Sequence, residues 1–156
     1  MKPFTPALVA TAVCLAACGG STSSSHSGSH PALSQSALTR PTHVYLLRLS
    51  GGAATPPGAP LGRGDAIVAF HGQSALCWRF AHLHGFTQAA SAQIHAGRPG
   101  RTGVAVVSLS TGSKLHHHGC VSITPTLATA IVHGPNGYYV TIPSARYPAG
   151  AVRAQL

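Results

Sequence analysis

Acidic side chains are almost absent from this chain. Asp65 is its single Asp or Glu, set against ten Lys and Arg, for a formal charge of +9. That scarcity excludes whole classes of chemistry. Glycoside hydrolysis by the usual route needs a pair of carboxylates. An oxygen-ligand Ca²⁺ site needs several. A Ser-His-Asp triad would have to draw on Asp65 alone. No catalytic constellation stands out, and a non-enzymatic protein is expected.

Long hydrophobic runs are also missing. A membrane-spanning helix needs about 20 predominantly apolar residues. The apolar stretch from Phe4 to Ala17 is shorter and is interrupted by Thr5, Pro6 and Thr11. It follows Lys2 and closes in Leu15-Ala16-Ala17-Cys18, with the small residues Gly19, Gly20 and Ser21 behind it. This is the pattern of a bacterial lipoprotein signal peptide over residues 1–17, with Cys18 as the lipidated residue. The plainer alternative is a secretory signal cut after Ala17. Two or more acyl chains anchor stably where one is marginal. The expected location is therefore extracytoplasmic, held on a bacterial membrane through Cys18. Residues 18–42 are rich in Ser, Gly and His and read as a flexible tether.

Four cysteines are present. Cys14 leaves with the leader and Cys18 is acylated, so Cys77 and Cys120 remain. A disulfide is the default for such a pair in an oxidising compartment. Free buried thiols are the alternative.

Losing Lys2 with the leader lowers the formal charge from +9 to +8. A basic domain at a membrane attracts anionic headgroups or acidic envelope polymers, and another protein is a further candidate partner. Nucleic acid fits less well, because the basic residues are scattered singly with no cluster interleaved with aromatics.

From about residue 43 to 156 the chain reads as one domain of short strands. His43 to Leu49 is strand-like. Ala66 to Phe70 and Ala75 to Phe80 flank a His71-Gly72-Gln73-Ser74 turn. Ser91 to His95 and Val104 to Leu109 flank a glycine loop, and Cys120 to Ile123 is another strand. One helix is expected near 125–133. Thr124 is its N-cap, Pro125 its first residue, and Gly134-Pro135 its stop. Tyr138 to Ile142 and Ala151 to Leu156 close the chain as strands. Short strands at these intervals predict an all-β sandwich or barrel.

The C-terminal run from Gly137 to Leu156 contains Tyr138-Tyr139-Val140-Thr141-Ile142 and Pro148-Ala149-Gly150-Ala151-Val152-Arg153-Ala154-Gln155-Leu156. It resembles the end of CHRD domains, named after chordin. Those domains typically close with a Tyr-rich strand, an Asn-Val-His-Thr turn and a Pro-x-Gly-x-Ile/Val-Arg-Gly-Gln-Leu tail. Ala92-Gln93-Ile94-His95-Ala96-Gly97 is similar to the family's Ala-His-Ile-His-x-Gly segment. Gly119-Cys120-Val121 and the Cys77 strand also fit. The resemblance covers about 43–156. It implies a β-sandwich of immunoglobulin-like or superoxide-dismutase-like kind in an extracellular setting, with no general enzymatic activity. Three departures stand out. Gln93 and Pro143 occupy positions where the family has histidine, and Ala154 replaces a glycine.

Three further candidates remain. His82 and His84 flank Leu83, and period-two geometry puts both imidazoles on one strand face. With His95 as third ligand they would hold Cu or Zn, which defines an alternative function as a metal-binding or redox protein. The plainer reading is two solvated histidines, and no cofactor is the default expectation. Asp65 is too distant in sequence to assume a supporting role. Arg98 and Arg101, in the loop from Gly97 to Gly103, are candidate anion ligands, though the loop lacks Walker-type spacing and fits a plain connection as well. His116-His117-His118 reads as an exposed loop tip, with adventitious metal capture as its functional alternative.

Overall fold

A computed structural model describes residues 40–156. The leader, Cys18 and the tether up to residue 39 lie outside the described residues. Eight strands form in the order β1 (His43–Ser50), β2 (Arg63–His71), β3 (Ala75–His84), β4 (Ala92–Ala96), β5 (Ala105–Ser110), β6 (His118–Ser122), β7 (Tyr138–Ile142) and β8 (Val152–Gln155). One helix, α1 (Pro125–His133), lies between β6 and β7. No helix among the described residues is long and apolar enough to cross a membrane.

Alternation decides which side of each strand faces inward. In β1, Leu47 and Leu49 are buried while Val44, Leu46 and Arg48 are exposed. Gly64, Ala66, Val68 and Phe70 of β2 point inward, as do Leu76, Trp78 and Phe80 of β3. Period-two geometry sends these sets to one face. Ile94, Val107, Leu109, Val140, Ile142, Val152 and Leu156 supply the opposing half of the core.

All neighbouring strands are antiparallel, in the order β5-β4-β7-β8-β1-β2-β3-β6. The sheet is nominally continuous, yet β8 and β1 share one paired position, Ser50 opposite Arg153. Two four-stranded halves therefore hinge at that corner and face each other across the core. The outer edges β5 and β6 approach one another at the far side. Near them the His116 amide donates to Ser110 Oγ at 2.8 Å. The result is all-β as expected, with sandwich packing and nearly barrel-like closure.

The helix forms where capping residues set its ends. Thr124 Oγ1 accepts from the Leu127 amide at 3.3 Å, Pro125 opens the first turn, and the Gly134 amide caps back to Ala130. The Pro125 ring presets the helical φ and its missing N–H is not needed there. Ala128 and Ile131 are buried from this helix and belong to the core. Cys77 and Cys120 stand opposite each other on β3 and β6 and form a disulfide.

The β3 end departs from regular alternation. Ala81 pairs with Asp65, whereas His84 pairs with Arg63, so His82 and Leu83 together oppose Gly64. His82 takes φ 52°, the left-handed region. This is a β-bulge. It turns Leu83 inward over Gly64, where a Cβ would lie 2.4 Å from Leu83 Cδ2. Glycine at position 64 is thus what lets the bulge pack.

Candidate functional site

The outward face of β4, β7 and β8 is not solvent-exposed. Tyr139, Thr141 and Arg153 point away from the main core yet are only 5%, 4% and 3% exposed. The 97–103 loop lies over part of this face. Arg153 Nη1 donates to the carbonyl of Arg101 at 2.8 Å, and Nη2 donates to the carbonyl of Arg98 at 2.9 Å. Nη2 also reaches Gln155 Oε1 at 3.2 Å. The guanidinium carbon sits 3.5 Å from the centroid of the Tyr139 ring. No acidic residue neutralises this buried cation. Carbonyl dipoles and a π-face do so, and both favour a planar guanidinium. Burial pushes the Arg153 pKa below its ordinary value, while Tyr139 opposes that shift.

Gln155 fastens the adjoining backbone. Its Nε2 shares its two hydrogens among the carbonyls of Gly97, Asn136 and Tyr138, at 2.9, 2.8 and 2.7 Å. His95 Nδ1 donates to the Gly103 carbonyl at 2.9 Å, and its Nε2 lies 3.1 Å from Gln93 Oε1. The imidazole stacks on Tyr139, with centroids 5.1 Å apart and planes 18° apart. Tyr139 Oη in turn accepts from the Gly103 amide at 3.2 Å. Gly103 is held so close that a Cβ would stand 1.5 Å from the Ala96 carbonyl oxygen. Every buried side-chain polar atom among the described residues has a hydrogen-bond partner. The cluster is a saturated clamp that holds the 97–103 loop and the two closing strands together.

This arrangement changes the reading of two predicted sites. His95 has both ring nitrogens engaged within the clamp. His82 and His84 stand at the β3 bulge, both exposed. Among the described residues no three His, Cys, Asp or Glu side chains converge as a metal-binding group. The expected ligand set of His82, His84 and His95 is therefore not assembled. The strand that carries His95 belongs to one half of the sandwich, and β3 belongs to the other. Arg98 and Arg101 have exposed side chains, but their carbonyls point at Arg153. The amides of Gly97, Arg101 and Gly103 are committed to Gly137, Arg98 and Tyr139. Those amides do not form a free anion nest.

Two expectations need correction in detail. Asp65 does meet His82, because the β2–β3 hairpin folds them together. Its Oδ2 accepts from His82 Nδ1 at 2.8 Å, and its Oδ1 lies 3.5 Å from Arg48 Nε. His116 to His118 are exposed as expected, but their backbone is not a free tip. The His117 carbonyl accepts from the Phe80 amide at 2.6 Å, that of His116 accepts from Trp78 Nε1 at 3.4 Å, and His118 begins β6. Their backbone extends the pairing of the edge strand. The residues that sequence reasoning missed as functional partners are Arg153, Gln155 and Tyr139. Their presence in the family-like tail was the only signal for them.

An all-β sandwich closed by a tail that clamps its own glycine loop defines the class of β-module to which this domain belongs. The residues that carry the clamp are those of a particular family. The family model for the CHRD domain matches residues 45–156, and the chain belongs to that family. No curated protein and no solved structure matches the chain. The family's signature segments, dispersed in sequence, meet on β4, β7 and β8. Ala154, where the family has glycine, turns its methyl into the core at 5% exposure. Gln93 replaces a family histidine and bonds His95.

Proposed function

We propose that this protein is a cell-envelope lipoprotein whose CHRD domain is a non-enzymatic binding or structural module. The observation that carries the domain's role is the saturation of the signature cluster. Tyr139, His95, Arg153 and Gln155 spend their polar atoms and ring faces on one another and on loop backbone. A group already bonded in this way is a fastening, and neither base nor nucleophile is poised among them. The family membership supports the same reading. Anchoring rests on Leu15-Ala16-Ala17-Cys18. The Cys77–Cys120 disulfide suits an oxidising location.

Cell fractionation tests the anchored reading. The wild-type chain sediments with membranes and is cut by protease added outside the cytoplasmic membrane. Cys18→Ala abolishes acylation and leaves the protein unprocessed or soluble. A wild-type chain that stays in the cytosol would overturn the proposal.

A further inference from the structure

The outward side of β1, β2 and β3 is the reverse of the clamp. No loop covers its apolar residues. Val44, Leu46 and Ile67 are 49%, 77% and 38% exposed, three of the five large exposed hydrophobics among the described residues. Strand register puts them together. Leu46 stands opposite Ile67, which stands opposite Arg79, and Val44 stands opposite Ala69 beside the disulfide row. An open groove of about 470 Å³ runs along this patch between Leu46, Ile67, Arg79 and the Arg48–Asp65–His82 group. Scattered exposed hydrophobics need no explanation, but a contiguous patch marks an interaction surface.

Charge selects the occupant. Arg48, Arg63 and Arg79 all lie on this outward side and are exposed. The chain's one acidic side chain, Asp65, is committed to Arg48 and His82. Arg63 and Arg79 therefore have no acidic partner among the described residues. Exposed aliphatics ringed by guanidiniums suit a lipid interface, where apolar tips enter the headgroup boundary and arginines meet anionic phosphates. Position agrees. The chain from Cys18 enters the domain at β1, the strand that carries Val44 and Leu46. Only 21 residues lie between Cys18 and Arg40, a span of at most about 75 Å when fully extended.

We infer that the outward face of β1–β3 is a docking surface for anionic phospholipid, with Leu46 and Ile67 at the headgroup boundary and Arg63 and Arg79 on phosphates. The inference rests on the anchored reading, which would bring this face within reach of the bilayer. The anchor supplies retention, and the face supplies orientation.

Vesicle co-sedimentation of residues 19–156 is the test. This segment keeps the whole core, which runs from Leu47 to Leu156. It partitions onto phosphatidylglycerol vesicles far more than onto phosphatidylcholine. Arg79→Gln lowers the partition coefficient about fivefold, and Leu46→Ser lowers it about tenfold. The control variants Arg146→Gln and Val104→Ser, exposed elsewhere, stay within about twofold if charge at a distance from the bilayer is screened. Circular dichroism confirms that each variant is folded. Absence of binding to phosphatidylglycerol, or equal losses in the controls, overturns the inference. So does a dimer in vesicle-free solution that Leu46→Ser dissolves, since the face would then receive a second copy. Palmitate incorporation into the full chain reads the anchor separately. A chain that is labelled at Cys18 but fails with vesicles keeps its anchor and loses the docking face.

Discussion

Replacing Arg153 with methionine removes the centre of the clamp while keeping an unbranched apolar stem in place of the arginine's methylenes. Three acceptors then lose a hydrogen bond: the Arg101 carbonyl, the Gln155 side chain and the Arg98 carbonyl, which keeps the Arg101 amide as donor. A lost hydrogen bond costs about 1 kcal/mol and a stranded buried acceptor about 1–3 kcal/mol; the exposed loop above can recruit water, so about 1 kcal/mol each is the fitting value. Loss of the cation over Tyr139 adds about 1 kcal/mol. Removing a desolvated charge returns about 1 kcal/mol. The net destabilisation is about 3 kcal/mol. For a domain of this size that lowers Tm by about 12 °C. Urea unfolding followed through Trp78, which is 7% exposed in the core, measures it directly. Arg153→Lys restores a cation but not the fork, so it recovers about half of the loss. A change under about 0.5 kcal/mol for Arg153→Met would refute the clamp, since surface substitutions fall within that range.

Other consequences are equally specific. Reducing the Cys77–Cys120 bond, whose partners are 43 residues apart, destabilises the domain by about 4 kcal/mol in the chain-entropy model; unfolding with and without reductant reads this. His95→Ala frees the Gly103 carbonyl and unstacks Tyr139, so amide exchange of Gly103 accelerates about tenfold or more while core amides change less. Gly64→Ala forces Leu83 off the bulge and destabilises by about 1–3 kcal/mol, a loss that the second substitution Leu83→Ala partly relieves in thermal melts. Burial raises the Tyr45 pKa above 10.0. The folded state then holds the phenol proton more tightly than the unfolded state. That contribution is fully present below about pH 10 and is lost as pH rises through the raised pKa. Tyr45→Phe flattens this alkaline loss in unfolding experiments at pH 9 to 11.

Much of the fold is written locally. Alternation in His43 to Leu49 and in Ala66 to Phe80 sets strand faces without reference to the rest of the chain. Thr124-Pro125 and Gly134-Pro135 bound the helix by capping chemistry alone. The β2–β3 turn also sets a register. Counting back six residues from His71 and on six from Ala75 brings Asp65 opposite Ala81, next to His82. That register brings the lone acid beside the His82 backbone, but regular alternation would turn the imidazole to the other face, so their contact needs the bulge.

The bulge is not legible, because a left-handed histidine at position 82 is imposed by packing of Leu83 over Gly64 and has no turn signature. The buried arginine is not legible either. An arginine in a β-strand ordinarily reads as an outward, solvated residue. Only the tertiary approach of the 97–103 loop covers it, from more than 50 positions away in sequence. The expected metal set fails for a related reason. Residue spacing places His82 and His84 near each other, but the placement of His95 depends on strand order, and that order puts β4 in the other half of the sandwich.

Anchoring of the domain to a membrane through Cys18 is the central proposal, and mass spectrometry of the N-terminal peptide from the mature chain is its most direct test. The predicted peptide begins at Cys18 and carries a diacylglyceryl group. An unmodified Cys18, or a mature chain that retains Met1 or begins at some other residue, would contradict it.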